Sequence, residues 1–435
     1  MALGGGSFVT QNKVLPGAYV NFVSLSAANA TLSDRGIATM PLELDWGAEG
    51  EVFTVTNVDF QKKSMVIFGY PYDHEKMRGL RDLFKNVQTL HAYRLNGGGS
   101  KATSGYGNAK FSGVRGNDIK IAVQKNVDDE MVIDVITYMG TTVVDKQNVY
   151  EAKELVDNDY VEFNKDSALE PTAGTPLMGG TNGTTSNEAY QNYLDKIEGY
   201  SFNAMGVDTT DSTTADLFVN FTKRLRDEMG VKFQTVLYNK AADYEGVINV
   251  MSKATASDWK ESALVYWVTG ACAGCKVNAS NLNKVYNGEF TMDVSHTQAQ
   301  LIDAIENGQF MFHKVGTEIR VLNDINSLVS TSDTKGDIFK DNQTIRVIDQ
   351  LANDTAVLFT EKYLGAVLND TAGRISFWSD LVKMRHDMQT IRAIENFSEE
   401  DVVVSQGDTK NSVVVSEAIE VINTMGKLYM TTVVG

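Results

Sequence analysis

Helix and strand patterns alternate in SNEAYQNYLDKIEGYSFNAM (residues 186–205) and again in DLFVNFTKRLRDEMGVKFQTVL (residues 216–237). In the first stretch, four apolar residues recur at helical spacing before Gly199, and a short apolar run follows. The second stretch repeats this order, with a helix that Gly230 ends and an apolar strand up to Leu237. Such repeated alternation predicts a mostly parallel sheet covered by helices.

The same alternation continues on both sides of this region. Upstream, a helical pattern that begins after Asp73 precedes a strand pattern at Leu90–Leu95. Downstream, an apolar helical run passes Trp267, and Ser295 with Gln298 has the spacing of a capping box for another helix. These patterns place both regions in one α/β body.

Two Gly-rich stretches, at 96–100 and 172–186, interrupt this body and predict flexible linkers. Between them, short β-branched runs at hairpin-like spacing indicate an inserted β-rich domain. Near the end, two long amphipathic helices and two Val-rich runs indicate an α+β domain. The predicted parts of this α/β multidomain chain are an N-terminal extended arm (1–18), a discontinuous α/β body (19–96 and 186–332), the insert (97–185) and a C-terminal α+β domain (333–435) ending in an extended arm (412–435).

Composition restricts the class of protein. A chain of 435 residues is too long for one core, because single cores stop growing at roughly 250–300 residues. The net charge of -17 repels phosphate backbones, so we expect no nucleic-acid partner. No apolar run reaches the roughly 20 residues that span a bilayer, and the start of the chain lacks a signal-peptide pattern. We therefore expect a protein that does not insert into membranes and stays in the cytoplasm.

Candidate catalytic and metal-binding groups are few. Cys272-Ala-Gly-Cys275 has the spacing of a redox or zinc half-site, but the sequence offers no second cysteine pair to complete a zinc site. The five histidines are scattered, and no Gly-rich stretch has a phosphate-loop frame. We predict no catalytic residue, no cofactor and no metal. A pair among the 56 acidic residues could still act as acid and base, so an α/β enzyme with an inserted β domain stays open.

Both ends of the chain have the pattern of extended segments. Apolar residues alternate after the first Pro-Gly turn signal and again in the last strand-like runs. Unpaired backbone donors and an exposed apolar face favour pairing with a sheet edge, and we expect that edge to belong to a neighbouring subunit. The predicted inter-subunit arm residues are Pro16, Gly17, Tyr19, Phe22, Val413, Val414, Val415, Leu428, Tyr429, Met430 and Val433.

Several motifs lie in a fixed order along the chain, from Pro16 to Val434. They are Pro16–Val20, Asp34–Ala38, Trp46–Gly50, Lys110–Asn117, Gly270–Gly274 with Asn278-Ala279-Ser280, Ile319–Leu328, Tyr363–Gly365, Asn369 before Gly373-Arg374, and Met425–Val434. Each motif is weak alone, but their order and spacing together resemble the contractile-tail sheath family of bacteriophages and phage-tail-like particles.

The resemblance implies a structural subunit and not an enzyme. Such a subunit is expected to stack as hexameric rings around a tail tube and to contract, driving the tube through the host envelope. The implied partners are further copies of the chain, the tail tube protein, and baseplate and tail terminator proteins. The expected location is the virion tail, assembled in the bacterial host cytoplasm. Another tail or capsid structural protein is the alternative.

A local excess of basic residues suggests which part of the chain would contact the tail tube. Residues 371–394 contain four basic residues against two acidic ones, in a strongly acidic chain. Lys383, Arg385 and Arg392 are the candidate tube-facing residues, because Arg385 and Arg392 are seven apart and would share one helix face. A solvated helix face remains the alternative interpretation.

Overall fold

The computed structural model describes residues 35–434 and divides them into two compact units. The body unit contains Arg35–Ile345 and the segment from Met425 onward, and the carboxyl-terminal unit contains Arg346–Thr424. The predicted multidomain α/β class is confirmed. The predicted amino-terminal arm, with Pro16, Gly17, Tyr19 and Phe22, lies outside the described residues.

The first part of the body unit contains three strands and two helices. They are β1 Ile37–Leu42, β2 Val52–Thr56, α1 Asn57–Phe68, α2 Arg78–Phe84 and β3 Thr89–Arg94. Thr56 caps α1, because its hydroxyl accepts a hydrogen bond from the Asp59 backbone. The turn before α2 is capped by His74, and not by Asp73 as predicted, because the His74 side chain accepts from the Lys76 backbone.

The insert consists of seven strands in two small sheets. They are β4 Lys101–Ser104, β5 Gly107–Ser112, β6 Ile119–Lys125, β7 Ile133–Met139, β8 Thr142–Val149, β9 Val161–Phe163 and β10 Thr172–Pro176. One sheet has the order β10-β6-β7-β8 and the other β4-β5-β9. They enclose a separate apolar core that also takes in Trp46, which lies just after β1 and is fully buried.

The chain then returns to the body unit. The elements are α3 Asn187–Ile197, β11 Ala204–Gly206, α4 Ser212–Lys223, β12 Gln234–Tyr238, β13 Val247–Val250, α5 Leu264–Gly274, α6 Gln298–Glu306, β14 Gln309–Phe310, β15 Phe312–Val315 and β16 Glu318–Val321. The capping box of α6 is Thr297 with Gln300, and not Ser295 with Gln298. The helix starts later than predicted because the Asp293 carboxylate accepts from the Ser295 backbone and holds that residue in the preceding loop.

A seven-stranded sheet joins the two parts of the body in the order β14-β13-β12-β11-β1-β3-β2. All neighbouring pairs are parallel except β2 with β3. One apolar core, with α1, α2 and α5, covers one face, and a second core, with α3 and α4, covers the other. The sheet is therefore buried on both faces, as parallel sheets generally are.

Glycines let α5 approach α2 closely. A Cβ on Gly270 would lie 2.4 Å from the Leu83 carbonyl oxygen, and one on Gly274 would lie 1.7 Å from that of Asn86. These distances are shorter than any van der Waals contact, so larger residues would separate the helices. The small-residue motif of α5 is thus a packing motif.

The two Gly-rich stretches are not flexible linkers as predicted. The second one supplies β10 and then runs beside the first, where the Gly183 backbone donates to the Asn96 carbonyl oxygen at 3.0 Å. A Cβ on Gly183 would lie 1.8 Å from the Gly97 carbonyl oxygen. The glycines permit two backbones to cross in contact, so the insert is attached through a packed, hydrogen-bonded crossing.

The carboxyl-terminal unit takes up most of the remaining elements. They are α7 Asn342–Leu358, whose first turn belongs to the body unit, α8 Thr371–Thr390, β17 Ile394–Glu395, β18 Val402–Gln406, β19 Val413–Glu417 and β20 Glu420–Val421. The expected pairing of two long helices is confirmed by Phe377 of α8, which packs against Phe359 and Tyr363 in the helical turn that directly follows α7. β18 pairs with β19, and β17 pairs with β20.

Candidate assembly surface

The hairpin of β18 and β19 is the most exposed sheet of the carboxyl-terminal unit. Five residue pairs are in antiparallel register, from Val402 with Glu417 to Gln406 with Val413. One face packs on α8, where Val402 is buried and its carbonyl oxygen accepts from the Trp378 indole at 2.9 Å. Val403 and Val414 on the other face are more than half exposed. Within residues 35–434 this sheet gains no third strand.

A side chain from outside the hairpin holds its turn. The Asn369 amide donates to the carbonyl oxygens of Lys410 and Ser412, at 3.0 and 2.7 Å. Arg374 in turn donates to both oxygens of Asn369, at 3.0 and 3.1 Å. Asn369 and Arg374 belong to a motif that the sequence showed without a role. The structure assigns them the positioning of the hairpin.

Arg385 is buried, whereas the prediction from the sequence requires it on an exposed helix face. Its side chain is buried and forms a bidentate ion pair with Glu417 of β19, with both nitrogen–oxygen distances at 2.8 Å. Two of its nitrogens also donate to the Thr355 hydroxyl at 3.2 Å. The guanidinium thus joins α8, α7 and the hairpin. Charge counting along one helix could not reveal a partner that lies 32 residues away.

Arg392 and Lys383 also differ from the predicted arrangement. Arg392 lies beyond the end of α8, in the left-handed conformation with φ 61°, so it shares no helix face with Arg385. Its backbone donates to Gln389 and that of the next residue donates to Met388, which is a Schellman motif with arginine where glycine is usual. Arg392 and Lys383 are both exposed.

The last described residues, 425–434, form an exposed tail that belongs to the body unit. Its start lies beside Leu282, since a Cβ on Gly426 would be 3.3 Å from that side chain. The side chains of Leu428, Tyr429, Met430 and Val433 are 78–90% exposed. No described residue pairs with this segment as a strand partner. Val413, Val414 and Val415 already have partners in β18, so the unpaired segment begins later than residue 412.

The two cysteines of the Cys-x-x-Cys motif are buried packing residues. Cys272 and Cys275 are buried at the carboxyl-terminal end of α5, where the Arg35 guanidinium donates to both of their carbonyl oxygens, at 3.2 and 2.9 Å. A cation at this end of a helix also interacts favourably with the helix dipole. Across residues 35–434, no group of three or more His, Cys, Asp or Glu side chains is placed to hold a metal ion. Over the same span, no helix is long and apolar enough to cross a membrane.

Comparison with known proteins gives matches along nearly the whole chain. Family models match the tail sheath protein Gp18 domain III N-terminal region (residues 35–95), the phage tail sheath protein beta-sandwich domain (97–182), the phage tail sheath protein central domain (183–327) and the phage tail sheath C-terminal domain (334–435). The phage-like element PBSX protein XkdK of Bacillus subtilis is 30% identical over 470 residues, which cover 98% of this chain and 99% of that protein. The chain belongs to the phage tail sheath protein family.

Solved sheath proteins share its fold. The sheath tail protein of Desulfitobacterium hafniense superposes with a TM-score of 0.82 at 35% identity, covering 95% of this sheath chain and 99% of that protein. The sheath tail protein of Listeria innocua gives a TM-score of 0.79 at 32% identity, covering 94% and 97%. The contracted helical sheath of the anti-feeding prophage has a TM-score of 0.57 at 11% identity, covering 97% and 99%, which shows the fold alone.

Membership of this family decides between the functional classes that the sequence left open. The chain is a structural, non-enzymatic tail sheath subunit of a phage or phage-like particle. The α/β enzyme and the other tail or capsid component are therefore set aside.

Proposed function

We propose that this sheath subunit polymerises as stacked rings around a tail tube and contracts to drive the tube through the host envelope. The sheath of the anti-feeding prophage, which shares the fold, forms a contracted helical assembly, and this supports a polymerising role. Baseplate and tail terminator proteins would meet the two ends of the stack, and assembly would take place in the cytoplasm of a bacterial host.

One observation carries the proposal: within residues 35–434, the exposed tail has no strand partner and the sheet of β18 and β19 has no third strand. Two-stranded sheets are marginally stable alone, and an exposed edge accepts an extended segment from another chain. The exposed Val403 and Val414 offer an apolar face to such a strand. The tail of one subunit, with Leu428, Tyr429 and Met430, would add to the hairpin of the next.

Strand addition between subunits suits a helical lattice that must change its packing without dissociating. A head-to-tail contact whose rotation does not close generates a helix. Strand addition tethers neighbours through backbone hydrogen bonds, while the compact bodies can repack between two arrangements. The amino-terminal arm, with Tyr19 and Phe22, would provide a second tether of the same kind.

Truncation tests the tethers. Removing residues 426–435, or separately residues 1–20, should leave helix content near that of the full chain, because the sheet and its two cores lie in the remaining residues. Light scattering should then detect no polymer from either truncated chain. A matched control changes Thr431 and Thr432 to serine, which keeps the length and the apolar residues of the tail. Tubes formed by either truncated chain would refute the tethering proposal.

The tube contact is proposed at Arg392. Replacement by glutamate should weaken co-assembly with tube protein, and more at low salt than at high salt, while sheath-only polymer still forms. The matched control reverses Lys314, an exposed residue of the body unit. Equal tube binding by the Arg392→Glu variant and the full chain, in co-sedimentation at low salt, would contradict this contact.

A further inference from the structure

A cavity of about 580 Å³ opens at the carboxyl edge of the seven-stranded sheet. Its wall includes Glu43, Asn96 and Asp208, which follow β1, β3 and β11 directly or within two residues. The strand order reverses at β1, with β3 on one side and β11 on the other. In open α/β sheets, ligands bind in the crevice outside the carboxyl ends of the strands at such a reversal.

Two buried tyrosines face this cavity from opposite sides of the sheet. Tyr190 of α3 and Tyr266 of α5 both line it, and each is 8% exposed. The structure shows no hydrogen bond to either hydroxyl within residues 35–434, whereas the Tyr193 hydroxyl, also on α3, lies 2.7 Å from that of Thr39. Neither oxygen is among the fully buried polar atoms without a partner, so both hydroxyls open into the cavity and can bond to a ligand there.

The charge of the wall indicates the sign of that ligand. Its carboxylates outnumber its ammonium groups by five to two; they are Glu43, Asp45, Glu75, Asp208 and Asp258 against Lys76 and Lys260. Lys260 is already engaged, with its nitrogen 3.1 Å from the Glu43 carboxylate and 3.3 Å from the Asp208 carbonyl oxygen. Burial raises the pKa of Tyr266, and the neighbouring charges of Asp208 and Glu43 raise it further, which places its hydroxyl at the acidic end.

The remaining wall is apolar and aromatic. Phe68, Leu80 and Trp259 line it together with the tyrosine rings. Aromatic faces attract cations, and an apolar wall shelters an aliphatic stem. Lys76 pairs with Asp45 and Lys260 pairs with Glu43, so an anion would meet the remaining carboxylates without an ammonium group to bind it.

We propose that this cavity binds a primary ammonium or guanidinium cation on an aliphatic stem. The cationic nitrogen would lie beside the Asp208 carboxylate and the hydroxyls of Tyr190 and Tyr266, with its stem along the apolar wall, while Glu43 stays paired with Lys260. Free polyamines and the lysine or arginine side chain of a neighbouring subunit share this chemistry, and the second source rests on the proposed polymerisation.

Calorimetric titration of the unpolymerised full-length chain with spermidine, and with N-acetyl-lysine amide, tests the site. Saturable binding at one site per chain is expected. Tyr190→Phe with Tyr266→Phe should weaken it roughly fivefold, the effect of about one net hydrogen bond. Asp208→Asn should weaken it about tenfold by removing a facing charge. The control Tyr193→Phe, which removes a buried hydroxyl of α3 outside the cavity, should bind as the full chain does.

A second titration, on sedimented polymer, separates the two sources. Loss of spermidine binding on polymerisation assigns the cavity to a neighbour's side chain, and retention assigns it to a free polyamine. The soluble-chain measurement stands even if no polymer forms, so it fails independently of the proposed function. Absence of saturable binding by both probes, or equal binding by the tyrosine variant, would overturn the proposal. Thermal unfolding of the tyrosine variant at or above the full-length midpoint confirms that folding is intact.

Discussion

Breaking the ion pair between Arg385 and Glu417 should have an effect that depends on which partner is removed. The side chain of Arg385 is 2% exposed and that of Glu417 is 28% exposed. Glu417→Ala leaves a buried guanidinium whose remaining side-chain acceptor is the Thr355 hydroxyl. Removing one partner of a fully buried pair costs about 3–5 kcal/mol. Because water can reach part of this pair, we expect Glu417→Ala to lower the free energy of unfolding by about 2–3 kcal/mol.

Replacing the arginine instead of the glutamate should lower the free energy of unfolding by less. Arg385→Met removes the buried charge and fills its volume, while the partly exposed Glu417 carboxylate can turn toward water. We expect this variant to lower the free energy of unfolding by about 0–1.5 kcal/mol, since apolar replacements of buried ion pairs are often close to neutral. The matched control, Lys362→Met, breaks a pair with Asp380 at 2.6 Å in which the lysine is 40% exposed, and it should cost at most about 1 kcal/mol.

Amide hydrogen exchange of peptides from α8 and β19 measures this asymmetry, because local opening free energies are read directly from protection. We expect a larger loss of protection in Glu417→Ala than in Arg385→Met, and near-original protection when both residues are replaced by apolar ones. Equal losses in the two single variants, or no loss in Glu417→Ala, would refute the buried ion pair and return Arg385 to the surface.

Four further predictions concern other parts of the chain. Gly183→Ala should lower the free energy of unfolding, measured by urea denaturation, by more than about 2 kcal/mol, because the new Cβ would clash with the Gly97 carbonyl oxygen. Gly105→Ala is the control: its Cβ would meet no atom within 4 Å, so the loss should be less than about 0.5 kcal/mol. Arg392→Gly should stabilise the carboxyl-terminal unit by about 0.5–1 kcal/mol, since glycine adopts positive φ at no steric cost; an unchanged thermal midpoint would contradict this. Replacing Cys272 and Cys275 by alanine should leave polymer formation intact in light scattering, and stoichiometric zinc in the purified chain would contradict the structural role. Burial raises the pKa of Asp82, so the folded state binds its proton more tightly than the unfolded state, and ionised Asp82 opposes folding above its folded pKa. The stability of the full chain relative to Asp82→Asn should therefore rise as the pH falls from 7 towards 4, and a fall in urea denaturation would contradict that sign.

Local patterns were sufficient for the elements with strong periodicity. The stripe of apolar residues before Gly199 predicted α3, and the two Val-rich runs predicted β18 and β19. Element starts were harder, because the same spacing fits Ser295 with Gln298 and Thr297 with Gln300. Only the competing bond from Ser295 to Asp293 selects the second pair.

Features that depend on distant parts of the chain could not be predicted in this way. Glycine content suggested flexibility at residues 96–100, yet the structure uses those glycines for a close backbone crossing. The basic pattern of α8 suggested an exposed face, yet Glu417 takes Arg385 into the interior. The cavity depends on a strand order that no single segment encodes. Its one sequence signal was the polar residues Asn96 and Asp208 after two predicted strands, since β1, which precedes Glu43, was not predicted.

Electron cryomicroscopy of the purified full-length polymer tests the central claim most directly. We expect hollow, striated tubes in which residues 428–433 of one subunit run as an added strand beside the β18–β19 hairpin of another. Compact particles of fixed size, or tubes in which this segment folds back on its own subunit, would contradict it.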